Sequence, residues 1–159
     1  LYKNSLTVGV SRTEFFLAKS VVLASIALMQ ILVSLFIAFV PATMLNGLGT
    51  MPEGFIGNLL LTIALQFLCL LAWLSIVSFI LYVTHSYLAV FIGYLITSIL
   101  LSMPMLIFPD IEILRYLSLN FAYAMTDYSQ AVLYTVIVTV TIILLFTVSG
   151  LAVFKKKSL

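Results

Sequence analysis

Few side chains in this chain could do chemistry: one histidine (His85), one cysteine (Cys69), five carboxylates and seven basic residues among 159. A lone histidine excludes a heme held by two histidines of this chain and a zinc protease helix, which needs two histidines one turn apart. A lone cysteine inside an apolar run excludes an internal disulfide framework and any cysteine-based metal site. No carboxylate stands near His85 in sequence to orient a catalytic imidazole. Neither a G-x-S-x-G elbow nor a G-x-x-x-x-G-K-[ST] phosphate loop occurs. The expectation is a chain that is not an enzyme, does not hydrolyse ATP itself and holds no cofactor or metal. His85 reads as a solvated loop residue and Cys69 as a small packing residue.

What must be positioned is therefore a set of helices rather than a catalytic constellation. Apolar residues make up 64% of the chain and charged ones 8%, against about 25% charged in an ordinary soluble domain. Stretches 20–52, 54–109 and 128–154 contain no Asp, Glu, Lys or Arg. A hydrocarbon layer about 30 Å thick is crossed by about 20 apolar residues in a helix. The first and last stretches hold one crossing each, and the middle one holds two. The fold class expected is all-α: a polytopic membrane protein with spans at 20–40, 56–81, 87–107 and 131–153, in a transmembrane domain covering 20–154. Pro41 is expected to close the first span ahead of the turn Asn46-Gly47-Leu48-Gly49. The middle stretch breaks at 82–87, where Tyr82 and Tyr87 suit a belt at headgroup level.

Four crossings place both termini on one side. That side carries Lys3, Arg12, Lys19, Lys155, Lys156 and Lys157 against Glu14, and the other carries Glu53, Asp110, Glu112 and Asp127 against Arg115. Short basic segments stay in the cytoplasm, so residues 1–19 and the basic tail 155–159 are expected there. The lysines of the tail adjoin a span, where topology and anionic lipid explain them, so nucleic-acid binding is not expected. The outer segment 108–130 is too polar to span. Ile111, Ile113, Leu114 and Leu117 oppose Glu112, Arg115 and Ser118 at helical spacing, which fits a short helix along the outer membrane surface, with Asp110 able to cap it. A solvated loop is the alternative.

Polar groups inside the spans are uncharged: Gln30 with Ser34, Gln66, Ser75 with Ser78, Ser98 with Ser102, and Thr135 with Thr139. Lacking an intramembrane charge, the chain does not look like an ion-coupled transporter. These groups either hydrogen-bond between helices or line a path, for which Gln30, Ser34, Gln66 and Ser98 are the candidates. Gly93 and Thr97 read as a place where helices come close.

Residues 1–19, LYKNSLTVGVSRTEFFLAK, mix charge, hydroxyls and apolar groups. Ser11-Arg12-Thr13-Glu14 is a capping box, so a helix starts at about Arg12 and can run through Lys19 into the first span. Gly9 is a natural corner and makes residues 2–8 a separate surface element. The string Lys3-Asn4-Ser5-Leu6, then Gly9-Val10-Ser11-Arg12, then Phe15 or Phe16 and Lys19, resembles the cytoplasmic joint after the second span in permease subunits of type-2 ABC exporters. The likeness is greatest to the small bacterial permeases of peptide-antibiotic and lantibiotic export or immunity. The basic end Phe154-Lys155-Lys156-Lys157 is similar to theirs. That family usually has six spans, so the resemblance implies a C-terminal fragment holding the last four.

The resemblance further implies that residues 1–19 are a coupling element and elbow, with Lys3, Asn4, Ser5, Leu6, Gly9, Ser11, Arg12, Glu14 and Lys19 serving a separate cytoplasmic ATPase subunit. It implies a second permease copy or a related permease as partner, the plasma membrane of a bacterium as location, and an amphipathic substrate. Arg12 and Lys19 have a plainer alternative as anchors at phosphate headgroups. The alternative for the whole chain is a non-transporting membrane anchor or assembly protein.

Overall fold

A computed structural model describes residues 11–47, 49, 53–120 and 130–156. Among them are four long α-helices: α1 (Arg12–Asn46), α2 (Phe55–Thr84), α3 (Tyr87–Ile107) and α4 (Gln130–Lys156), with a short 3-10 helix, Glu112–Ser118, between α3 and α4. All four α-helices are long and apolar enough to cross a membrane, and no strand occurs among the described residues. Helices are what such a sequence must form, because hydrocarbon offers no partner for an unpaired backbone N–H or C=O.

At its first turn α1 follows the sequence closely. The Glu14 N–H donates to Ser11 Oγ at 3.2 Å and the Ser11 N–H donates to the Glu14 carboxylate at 2.8 Å, so both halves of the capping box are made. The other end differs from expectation. Pro41 lies inside α1, and the helix ends at Asn46, where Gly47 at φ 71° donates its N–H to Thr43 O. Pro41 has no N–H to donate to Ile37 O, a break that membrane helices tolerate, and nearby Thr43 Oγ1 donates to Val40 O at 2.9 Å. Its 35 residues make α1 about 52 Å long, well beyond the hydrocarbon thickness. The 21 residues of α3 give only about 32 Å.

Between α2 and α3 the turn is tighter than the sequence suggests. Only His85 and Ser86 lie outside the helices. His85 takes the left-handed conformation at φ 54° and its N–H donates to Leu81 O, while Ser86 Oγ accepts from the Ala89 N–H and caps α3. Tyr82 therefore stays on α2 and is buried, not exposed in a headgroup belt.

The centre of the bundle is the pair α2 and α4. Ala72 and Thr139 are completely buried, and Ile76, Val138 and Ile142 join Ala72 in the core. Interior hydroxyls do not link helices in the way the sequence suggested. Thr135 Oγ1 donates to Ala131 O, Thr139 Oγ1 to Thr135 O and Ser102 Oγ to Ser98 O, each one turn back, and Ser75 Oγ donates to Ala72 O three residues back. Back-bonding of this kind satisfies a hydroxyl locally and leaves a compact side chain for packing.

The outer segment also departs from expectation. The residue before its helix is Ile111, no side chain caps it, and its geometry is 3-10, so Asp110 is not the cap. Tyr116 and Leu117 pack against the α2–α4 core and Leu119 is buried in it, with Tyr116 5.8 Å from Tyr134 of α4. The segment thus lays Tyr116, Leu117 and Leu119 onto the bundle beside the short α3. Ile111 and Ile113 are left exposed.

Gly93 brings α3 onto α2: a Cβ there would stand 3.0 Å from Cδ1 and 3.1 Å from Cγ2 of Ile80. A Cβ at Gly150 would meet its neighbours at no less than 3.7 Å. Gly93→Leu should destabilise the protein in mild detergent by about 1–3 kcal/mol through overpacking, whereas Gly150→Ala should stay within about 0.5 kcal/mol. Paired melting curves of the two variants check this.

Candidate functional site

Phe16 of α1, Tyr82 of α2 and Phe154 of α4 are all buried and form one cluster, with Phe15 and Leu151 packed on it. Ring centroids lie 5.3 Å apart for Phe16 and Tyr82, 5.4 Å for Tyr82 and Phe154, and 6.1 Å for Phe16 and Phe154. Phe15 stacks on Phe154 at 6.3 Å, and the Lys19 ammonium sits 5.2 Å above the Phe15 ring centroid. Aromatic pairs in this range add about 0.5–1.5 kcal/mol each beyond the area they bury, and a cation over a ring adds about 0.5–1 kcal/mol at an exposed site. The start of α1 is thereby clasped to the ends of α2 and α4. The same contacts put both ends of the described chain, with the His85–Ser86 turn, at one end of the bundle.

The capping box lies one turn before this clasp. Ser11 is exposed and Glu14 is exposed, so their reciprocal bonds are spent on fixing where the helix begins rather than on a buried site. Arg12 is the first residue of α1. Of the candidate coupling residues the structure therefore places Ser11, Arg12, Glu14 and Lys19 on or at the start of one continuous helix. Lys3, Asn4, Ser5, Leu6 and Gly9 lie outside the described residues.

Beyond the clasp a cleft of about 260 Å³ lies between α1, α2 and α4. Phe16, Ser20 and Ala24 line it from α1, Leu74, Ser75 and Ser78 from α2, and Phe146, Thr147 and Gly150 from α4. Ser20 Oγ donates to Phe16 O and Ser75 Oγ to Ala72 O, so two of its hydroxyls are already spent on their own helices. Past the cleft, Ala27 and Ile31 of α1 are buried again. The four residues proposed for a path are not brought together here. Gln30 and Ser34 are exposed on α1, Gln66 is half-buried on α2, Ser98 is half-buried on α3, and none of them lines the cleft.

Sequence reasoning reached Phe15, Phe16, Tyr82 and Phe154 singly but missed that they form one cluster. The signal was available, since four antiparallel crossings put positions 16, 82 and 154 at the same end. No protein-family model, curated protein or solved structure matches this chain.

Phe16→Ala should remove the centre of the clasp and destabilise the protein by about 3 kcal/mol, while Phe36→Ala, at an exposed position of the same helix, should cost less than about 0.5 kcal/mol. Thermal unfolding in detergent separates the two, and equal effects would mean that the cluster does not hold α1.

Proposed function

We propose that this chain belongs to the permease of an ATP-driven exporter of the type-2 ABC kind, in which a separate cytoplasmic subunit hydrolyses ATP and these helices move an amphipathic substrate across a bacterial plasma membrane. A peptide antibiotic or a lipid-like molecule suits spans whose polar groups are scattered and uncharged. The observation that carries the reading is mechanical. The helix capped by Ser11 and Glu14 runs without interruption from the motif-bearing segment into a span, and Phe15 and Phe16 fasten its first turns to α2 and α4. A displacement applied just before Ser11 is delivered to three helices at once, as coupling to an external motor requires. Energy supplied from outside the span also accords with the lack of Asp, Glu, Lys and Arg in 20–52, 54–109 and 128–154, because ion-driven transporters place such groups within the membrane.

Under this reading residues 3–9 meet the ATPase, Gly9 is the corner and Arg12 the first residue of the lever. Single cysteines at positions 3–9 of the full-length protein, with Cys69→Ala, should crosslink to a co-expressed ATPase subunit in native membranes and change on adding nucleotide. Gly9→Pro and Arg12→Glu should each lower export at least tenfold with ATP hydrolysis and membrane insertion retained. Absence of crosslinks with both proteins present and folded, or unimpaired export by both variants, would leave a membrane anchor as the better reading.

A further inference from the structure

Beneath the aromatic clasp the cleft has a length, a width and a polarity that together describe an occupant. Its α1 wall runs from Phe16 to Ala24 and its α2 wall from Leu71 to Tyr82, lengths of about 12 Å and about 16 Å at the helical rise, close to the ~15 Å of one leaflet's hydrocarbon. It opens outward past Leu17 and Val21, which line it and are more than half exposed, so in a membrane it opens onto lipid. A helix is about 10–12 Å across and is too thick to enter a cleft of about 260 Å³ drawn out over such a length. Another span can close the mouth, but only something as narrow as an acyl chain fills the interior.

Two polar features define the rest of that occupant. Ser78 and Thr147 line the cleft and, among the described residues, have no hydrogen-bond partner, whereas Ser20 and Ser75 bond back to their own helices. A hydroxyl in hydrocarbon without a partner is unfavourable, and Ser78 stands one turn from Tyr82, about 6 Å along the helix from the clasp. At the clasp the cleft also meets the basic end of the bundle. Arg12 and Lys19 lie within about one turn of Phe16 on α1, and Lys155 and Lys156 follow Phe154 on α4. Glu14, the carboxylate at this end among the described residues, already accepts the Ser11 N–H, so the end as a whole is cationic.

We propose that the cleft is a binding site for an anionic phospholipid of the leaflet at the clasp end. One acyl chain lies between α1, α2 and α4, the ester carbonyls accept from Ser78 Oγ and Thr147 Oγ1, and the phosphate stands at the basic end. A phospholipid is the occupant that meets all three demands. An apolar side chain reaching in from another span would satisfy neither the hydroxyls nor the charge, and a free phosphate would not enter the apolar interior. The chain of such a lipid exchanges with the bilayer, so α1 keeps room to move. The inference needs no ATPase and holds equally for a membrane anchor, so it stands or falls apart from the exporter reading.

The test uses the full-length protein, delipidated in mild detergent, with dioleoyl phosphatidylglycerol and dioleoyl phosphatidylcholine titrated separately and bound lipid counted by native mass spectrometry. Phosphatidylglycerol should bind about fivefold more tightly than phosphatidylcholine, and Lys19→Gln with Lys155→Gln should remove most of that preference. Ala24→Phe, which fills the cleft, should weaken both lipids about tenfold or more. Ala24→Leu should act in the same direction and serves if the larger side chain unfolds the protein. Ile26→Phe, at an exposed position of α1 outside the cleft, should leave both affinities unchanged. Ser78→Ala and Thr147→Val should each weaken both lipids about threefold and preserve the preference. Melting curves without lipid check that each variant is folded. Equal affinity for the two lipids, binding untouched by the Ala24 variants in folded protein, or displacement by an equal concentration of glycerophosphoglycerol, which has the headgroup and no chains, would each overturn the inference.

Discussion

Close contact between α2 and α4 is the constraint on which the rest of this structure depends. Ala72 and Thr139 have no exposed surface at all, and both are small enough to let the helix backbones approach. In hydrocarbon, burying apolar surface against other apolar surface gains little, so helix association relies on dispersion between well-fitted surfaces. Thr139 can join such a surface only because its hydroxyl is already bonded to Thr135 O and Val136 O. Had it needed a partner on α2, the helices would have had to stand where that bond could form. Once α2 and α4 are fixed, each further element has a defined surface: α3 closes on Ile80 through Gly93, the 3-10 segment lays Tyr116, Leu117 and Leu119 on the core, and α1 is clasped at Phe16.

The number, type and bounds of the helices were largely legible because charge is excluded from hydrocarbon and its absence marks the spans. Residues 87–107 coincide with α3, and Ser11 with Glu14 predicted the start of α1. Errors fell where a local rule met a tertiary or membrane override. Pro41 reads as a helix stop in water, but α1 continues five residues beyond it. The run from Glu112 to Ser118 has an amphipathic pattern and does form a short helix, but its geometry is 3-10 and Ile111, not Asp110, stands at its start. Tyr82 looks like a belt residue until Phe16 and Phe154 are seen to cover it. In nearly uniform apolar helices periodicity says little about which side faces inward, so neither the cleft nor the exposure of Gln30 could be read in advance.

α1 and α2 show how different fastening divides one bundle into a rigid part and a part that yields. Along α2 the burial recurs from Leu65 through Cys69, Ala72 and Ile76 to Tyr82, a continuous seam. Among the described side chains of α1 the buried ones are Phe16 at one end and Ala27 with Ile31 at the middle, with the cleft between them. Bending a helix that is held at two points into an adjacent void disturbs few contacts, whereas moving α2 against α4 would break a close-packed surface of the kind that resists small displacements. The first turns of α1 bear the capping box and the aromatic clasp. A force arriving there passes through the clasp to α2 and α4, while the cleft beyond it leaves α1 room to bend between its two fastenings.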